Sequence, residues 1–379
     1  MKDASMAGCG DAYRRALEFA NANIAESCAF AFNSNIDLVA YPSLDAAERA
    51  FGKRITRGGE TVDAATVRRV ASAFKWKEAR MGGQSGNMAN AGAALGVRGL
   101  AHAYNLGPRQ KRLFAKGVEA IGGNRVRESR HYICEVTLRD GRRDRLIASH
   151  DPAQFKLQIA KKFASRSTAF IGEGCDRAMV SGFHIIAHGS ARERMKAAAG
   201  LLGRWKQANP ELRVQFEAGD FARKEVLLDT VKMILPHVDS IGLNGEEVHE
   251  FARAFGLPRR HAFEAARLLA GKVPEVVVHT ADYAFAYSRI RPKPVLRHAL
   301  CFGHSLAAYR ALTGRYAAFA DVSLMLDNKV ECRAGSQAAS EFEEAGFGKH
   351  GVIVPSLALK PKMTVGLGDS FAAGFFLVG

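Results

Sequence analysis

Ser240-Ile241-Gly242-Leu243-Asn244-Gly245-Glu246-Glu247-Val248-His249-Glu250-Phe251 decides the fold. Its first four residues form a short apolar run, Asn244-Gly245 breaks that run, and from 246 to 255 the apolar positions recur at helical spacing. A strand, a tight turn and a helix make one βα unit. Outward from it the unit repeats: β-rich runs at 29–32, 178–181, 213–217 and 276–279 are separated by helical patterns at 191–207, 223–234 and 261–269. Such alternation predicts an α/β protein with a three-layer α/β/α body around a largely parallel sheet, its ligands held at the carboxyl ends of the strands.

Two stretches break the rhythm. Residues 38–80 are charged and weakly patterned, and 127–147 reads as two strands joined by an Asp140-Gly141 turn. Both are taken as one smaller, discontinuous β-sheet lid, which divides the chain into body segments 1–37, 82–126 and 173–379 and lid segments 38–81 and 127–172. A lid beside an α/β body forms a cleft able to exclude water.

With 379 residues and 47% hydrophobic composition, the chain has material for two or three units with packed cores, which excludes a disordered protein. No apolar run approaches the roughly 20 residues of a membrane-spanning helix, and no basic-then-apolar signal pattern opens the sequence. A soluble, cytoplasmic protein without a membrane partner is expected. Lys+Arg number 54 against 38 Asp+Glu, a net +16, yet the basic residues are dispersed without a long basic run. That favours small anionic substrates over nucleic acid as partners. Six cysteines lack a Cys-x-x-Cys pair or zinc spacing, so neither a disulfide framework nor a structural metal is expected. The sequence says nothing of oligomeric state.

The sharpest chemical motif is Thr364-Val365-Gly366-Leu367-Gly368-Asp369-Ser370, followed by the small-residue helical run FAAGFF. Gly366 and Gly368 allow close backbone approach, and the first amides of the following helix make an anion site. Asp369 at its mouth is placed to take a proton from an attacking hydroxyl. Asn33-Ser34-Asn35-Ile36-Asp37 follows the first strand, where its amides and carboxylate can hold hydroxyl-rich ligands. Gly82-Gly83-Gln84-Ser85-Gly86-Asn87 precedes a second small-residue helix. Glu217 and Glu247, at the ends of neighbouring strands, can hold Mg²⁺ through its water shell. Taken singly, Glu247 also reads as a first-turn helix acid.

Together these stretches, with HYICEV, DRLI, SGFH and HTADYA, resemble the ADP-dependent glucokinase/phosphofructokinase family of the ribokinase-like superfamily over nearly the whole chain. The resemblance implies transfer of the β-phosphoryl group of ADP to a hexose hydroxyl with Mg²⁺ as cofactor, glucose being the favoured acceptor. It makes Asp369 the catalytic base and Arg145 a lid arginine reaching the diphosphate. Asn244, His279, Thr280, Val354, Gly366 and Gly368 fall on the nucleotide side. Glu217, Glu247 and Asp369 fall on the metal side, and Asp37, Glu60, Gly83, Gln84 and His131 on the sugar side. A carboxylate at Glu60 favours a neutral sugar over a sugar phosphate, whereas Arg127, Arg130, Arg142 and Arg143 could neutralise the phosphate of fructose 6-phosphate. Phosphofructokinase or dual activity is therefore the alternative, with an ATP-dependent ribokinase-like kinase, a nucleotide sensor or a basic nucleic-acid-binding module as further ones. Gln215 stands where the family usually has His, and Ser370 where it has Thr.

Overall fold

The computed structural model describes residues 3–61, 63–123, 128–150, 157–186, 188–257, 261–327, 332, 336–349 and 351–379. Its strands, in chain order, are β1 Ser27–Ala31, β2 Asn35–Ala40, β3 Gly59–Thr61, β4 Glu78–Gly82, β5 Arg98–His102, β6 Val118–Ile121 and β7 Arg130–Thr137. They continue as β8 Arg143–His150, β9 Arg177–Val180, β10 Arg213–Glu217, β11 Ser240–Asn244, β12 Glu275–His279, β13 Tyr283–Ser288 and β14 Gly351–Pro355. Two sheets result. The larger has nine strands in the order β14-β13-β12-β11-β10-β9-β1-β5-β6, and the smaller has five in the order β3-β8-β7-β2-β4.

In the large sheet every pairing from β6 through β12 is parallel, and β13 and β14 add an antiparallel edge. Strands such as β1, β9, β12 and β14 are buried almost throughout, as apolar runs covered on both faces must be. One core layer packs Trp205, Phe216, Phe251 and Phe263 on one face of the sheet; the other packs Phe30, Met88, Phe302 and Phe375 on the opposite face. Helices on both sides give the three-layer body that the alternation predicts.

The small sheet draws on two chain segments, and its limits differ from those of the sequence division. β2 begins at Asn35, ahead of position 38. The helix Lys161–Gly172, which the division places in the lid, buries Phe163, Phe170 and Ile171 in the core of the large sheet. Residues 38–80 also contain two helices, Leu44–Phe51 and Ala64–Ala73. Ser43 and Asp63 cap them by accepting from Ala46 N and Thr66 N, and they bury Ala47, Ala50, Phe51, Val67 and Val70 against the small sheet. The β7–β8 hairpin turns at Gly141, whose φ of 81° suits glycine. Arg127 lies outside the described residues. Cys28, Cys134, Cys175 and Cys301 are free and buried, while Cys332 is disulfide-bonded, although no disulfide framework was expected.

One packing contact positions the site. The helix Leu367–Phe376 crosses the helix Lys293–Thr313 through facing glycines: a Cβ on Gly303 would lie 2.8 Å from the Phe371 carbonyl oxygen, and one on Gly374 2.9 Å from the Gly303 Cα. Backbone cannot swing aside as a side chain does. Gly303→Ala is therefore expected to destabilise the fold by about 1–3 kcal/mol through overpacking, measured as a lower urea midpoint at unchanged m-value. An unshifted midpoint would show that the two helices can separate freely.

Candidate active site

β10, β11 and β12 are adjacent and parallel, so their carboxyl ends deliver Glu217, Asn244 and His279 to one edge of the sheet. Glu217 lies beside Gly242 in register, and a side chain at 242 would collide with its carboxylate. Glu217 is buried; its Oε2 accepts from Gln215 Nε2 at 3.2 Å, and its Oε1 is 3.3 Å from His279 Nε2. Gln215 thus serves here as a neutral donor to the carboxylate. Burial alone would depress His279, but the hydrogen bond to Glu217 and the charges of Glu217, Glu247 and Asp369 carry it above its ordinary value. Its ring packs on Phe371 with centroids 5.0 Å apart. Its Nε2 is already engaged by Glu217, so its role begins with the carboxylates.

Asn244 and Glu247 form a reciprocal pair. Asn244 Oδ1 accepts from the backbone N–H groups of Glu246 and Glu247 at 2.8 and 2.9 Å, and Glu247 Oε2 accepts from Asn244 N at 2.8 Å. This is the chemistry of a capping box, and it fixes the turn leaving β11. Burial and the nearby Glu217 push Glu247 up to about 7, against the pull of the Asn244 amide and His279.

Asp369 stands in the first turn of the helix Leu367–Phe376, launched by Gly366 at φ 72°. A Cβ at Gly368 would lie 3.0 Å from His279 Cε1, which brings the glycine turn against the strand ends. Asn87 Nδ2 donates to Asp369 Oδ2 at 2.7 Å. Burial, then the Glu217 charge, raise Asp369 to about 6; Asn87, Arg310 and Arg145 oppose the rise. The Glu217 charge thus makes both Asp369 and Glu247 harder to ionise.

Arg145 comes from β8 of the small sheet. It donates from Nη1 to the Thr364 carbonyl at 3.1 Å, and its charge acts on Asp369. Glu135, opposite Arg145 in the β7–β8 register, accepts from Thr364 N at 3.0 Å and from its hydroxyl at 3.2 and 3.3 Å. The small sheet is thereby fastened to the strand of chain that enters the glycine turn. Sequence reading gave no role to Glu135 or Thr364.

On the acceptor side, Asp37 in β2 is buried and pairs in register with His131 of β7. Burial raises Asp37; His131, a 2.6 Å hydrogen bond from Asn35 Nδ2, and Arg310 lower it, and Glu60 adds to the rise. Asp37, His131 and Glu60 thus share one electrostatic neighbourhood. Glu60 is exposed on β3 and accepts from the Ser149 hydroxyl. Gly83 caps the helix Gln84–Ala94 at φ 72°, where a Cβ would lie 2.6 Å from the Asn33 carbonyl oxygen. Gln84 donates to the Ala218 carbonyl and keeps a buried Oε1 that no described residue satisfies.

Two expected nucleotide residues sit differently. The Thr280 hydroxyl is spent on its own turn, donating to the Tyr283 carbonyl at 2.7 Å and accepting from Asp282 N and Tyr283 N. Val354 is 1% exposed and packs in the core, so its side chain is not open to a ligand. Missed altogether were Arg310 and Tyr316. Both donate to Asn87 Oδ1, at 3.1 and 2.7 Å. The one available sign was an arginine within the otherwise apolar and small-residue run SLAAYRAL.

For a metal, Glu217 and Glu247 offer hard oxygen donors, the type Mg²⁺ takes. Among the described residues no three His, Cys, Asp or Glu side chains are arranged to hold a metal ion between them. The expected set of Glu217, Glu247 and Asp369 is therefore no closed protein cage. Among the described residues no helix is long and apolar enough to cross a membrane.

Residues 45–378 match the family model described as the ADP-specific phosphofructokinase/glucokinase conserved region. The chain is 28% identical over 362 residues to an ADP-dependent glucose/glucosamine kinase of Pyrococcus abyssi, covering 82% of this chain and 78% of that protein. It is 27% identical over 366 residues to an ADP-specific phosphofructokinase of Pyrococcus horikoshii, covering 80% and 79%. In fold it is similar to an ADP-dependent kinase solved with fructose-6-phosphate and ADPβS, with a TM-score of 0.83, 21% identity and 97% of each chain covered.

Proposed function

Because the chain belongs to the ADP-specific phosphofructokinase/glucokinase family, we propose that it transfers the β-phosphoryl group of ADP to a hexose hydroxyl, with glucose as the preferred acceptor and AMP as the other product. It is an ADP-dependent sugar kinase; the preference for glucose is the added reading. What supports the phosphotransfer assignment is one convergence. Asp369, Glu217, Glu247 and His279 meet at the ends of three adjacent strands and the glycine turn, and Arg145 arrives from the other sheet.

In this reading Asp37 and His131 hold the sugar, Asp369 takes the proton of the attacking hydroxyl, and the glycine-turn amides face the phosphoryl group. Arg145 offsets phosphate charge once the small sheet is closed over the body. The closing unit is residues 35–82 and 128–150, since the helix Lys161–Gly172 belongs to the body core. Buried carboxylates short of counter-charge suit a cation, and Glu217 and Glu247 would hold Mg²⁺ through its water shell. When bound, the ion supplies charge neutralisation at the donor phosphates.

Glucose is favoured by Glu60, whose carboxylate adds negative charge beside Asp37 and repels a second phosphate. A specific observation supports fructose 6-phosphate instead: Arg130 and Arg143 of the small sheet each keep a buried Nε–H with no partner among the described residues. A matrix of ADP, ATP and GDP against glucose and fructose 6-phosphate separates these readings. Within it, Glu60→Ala is expected to lower kcat/KM for glucose by about 10- to 100-fold, the loss of a charge-assisted hydrogen bond of ~1.5–3 kcal/mol. Fructose 6-phosphate use should survive or rise, and unchanged glucose kinetics would remove Glu60 from the acceptor site.

A further inference from the structure

We propose that Arg310 and Tyr316 act through Asn87 as positioning residues for the base, fixing which end of the Asn87 amide meets Asp369 and hence which carboxylate oxygen is left for the acceptor hydroxyl. The inference rests on the reading of Asp369 as the base.

An amide side chain has one end that only accepts and one that only donates. Asn87 Oδ1 receives Arg310 Nη2 at 3.1 Å and the Tyr316 hydroxyl at 2.7 Å. A guanidinium has no acceptor, so the oxygen end must face it, and the NH₂ end is thereby turned toward Asp369 Oδ2 at 2.7 Å. A flipped amide would set N–H against guanidinium and oxygen against carboxylate, two repulsions in a buried place. Asp369 Oδ2 is thus occupied, while no described residue donates to Oδ1. Oδ1 is the carboxylate oxygen left without a protein donor, and so the freer one for the proton of an incoming hydroxyl.

Arg310 is itself locked. It is 2% exposed, its guanidinium lies over the Tyr316 ring at 4.1 Å, and its Nε donates to the Val365 carbonyl at 3.2 Å. A Cβ at Gly366 would lie 2.7 Å from its Nη2. The same side chain therefore grips the turn that launches the Asp369 helix and the amide that orients the carboxylate. Its Nη1 is buried with no partner among the described residues. An arginine placed for stability alone would satisfy its donors first. This one leaves a donor unmet and keeps the bonds to Asn87 and Val365.

The test is kinetic, on the full chain with whichever hexose the wild type phosphorylates. Asn87→Asp keeps the acceptor for Arg310 and Tyr316 but sets an oxygen against Asp369. It is expected to lower kcat about 100-fold while KM for ADP and for sugar stay within about threefold. Arg310→Lys, which cannot bond Asn87 and Val365 together, should lower kcat about 30-fold, and Tyr316→Phe about fivefold. The decisive measurement is non-additivity: in an Asn87→Ala background, Tyr316→Phe should change kcat by less than about twofold, and Arg310→Lys, which also loses the Val365 bond, by clearly less than its about 30-fold effect alone. Additive losses, or a raised KM for ADP at unchanged kcat, overturn the proposal. If Arg310→Lys does not fold, judged by its melting transition, the milder Tyr316→Phe cycle decides alone. Asp369→Asn run alongside separates the two levels. Retained turnover there ends the base reading and this inference together, whereas lost turnover with additive cycles ends this inference only.

Discussion

Asp369→Asn is expected to lower kcat by about 10³-fold, within the range that general-base catalysis supplies, while ADP binding measured by calorimetry stays near that of the wild type. The amide is isosteric and can still meet Asn87, but it cannot take a proton. Burial and the Glu217 charge lift the Asp369 carboxyl to about 6, so its reactive form is the ionised one above that pH. A raised carboxylate that must be deprotonated loses activity as pH falls: kcat/KM should drop about tenfold per unit below about pH 6 and level off above it. A profile flat down to pH 5, or a variant with near-native turnover, would falsify the base assignment.

Arg145→Ala is the second large effect, an expected fall in kcat of about 10³-fold, the lower end of what a supplied arginine contributes to phosphoryl transfer. KM for the sugar should hardly move, because Asp37 and His131 are untouched. Two bonds tie the argument to geometry: Arg145 Nη1 reaches the Thr364 carbonyl, and its register partner Glu135 receives the Thr364 N–H. The guanidinium is thus brought to the glycine turn only when the small sheet is docked there. Arg145→Lys should recover little, since an ammonium lacks the planar fork that spans two oxygens. A loss smaller than about tenfold would mean that the arginine merely fastens the sheet.

The body of this fold was legible because strands buried on both faces must be apolar throughout, and runs such as 213–217 and 276–279 emerge at nearly those limits. Glu217 and His279 at their ends were legible for the same reason: a titratable residue closing a buried strand has to be at an edge. The helices Leu44–Phe51 and Ala64–Ala73 escaped notice because their apolar faces are narrow, although Ser43 and Asp63 stood at their starts as caps. Helix Lys161–Gly172 was placed with the wrong sheet because an amphipathic face does not say which core it meets. Asn87, Arg310 and Tyr316 come together over 223 and 229 residues of chain, a distance no local pattern spans. Val354 and Thr280 show the reverse: residues at the expected place whose side chains are spent on core and turn.

The glycine crossing at Gly303 and Gly374 leaves no slack between the helix that bears Asp369 and the helix that bears Arg310. One jaw of this enzyme is therefore an anvil. In the proposed reading, opening falls to the five-stranded jaw, whose grip on the body includes the bonds of Glu135 and Arg145 to Thr364.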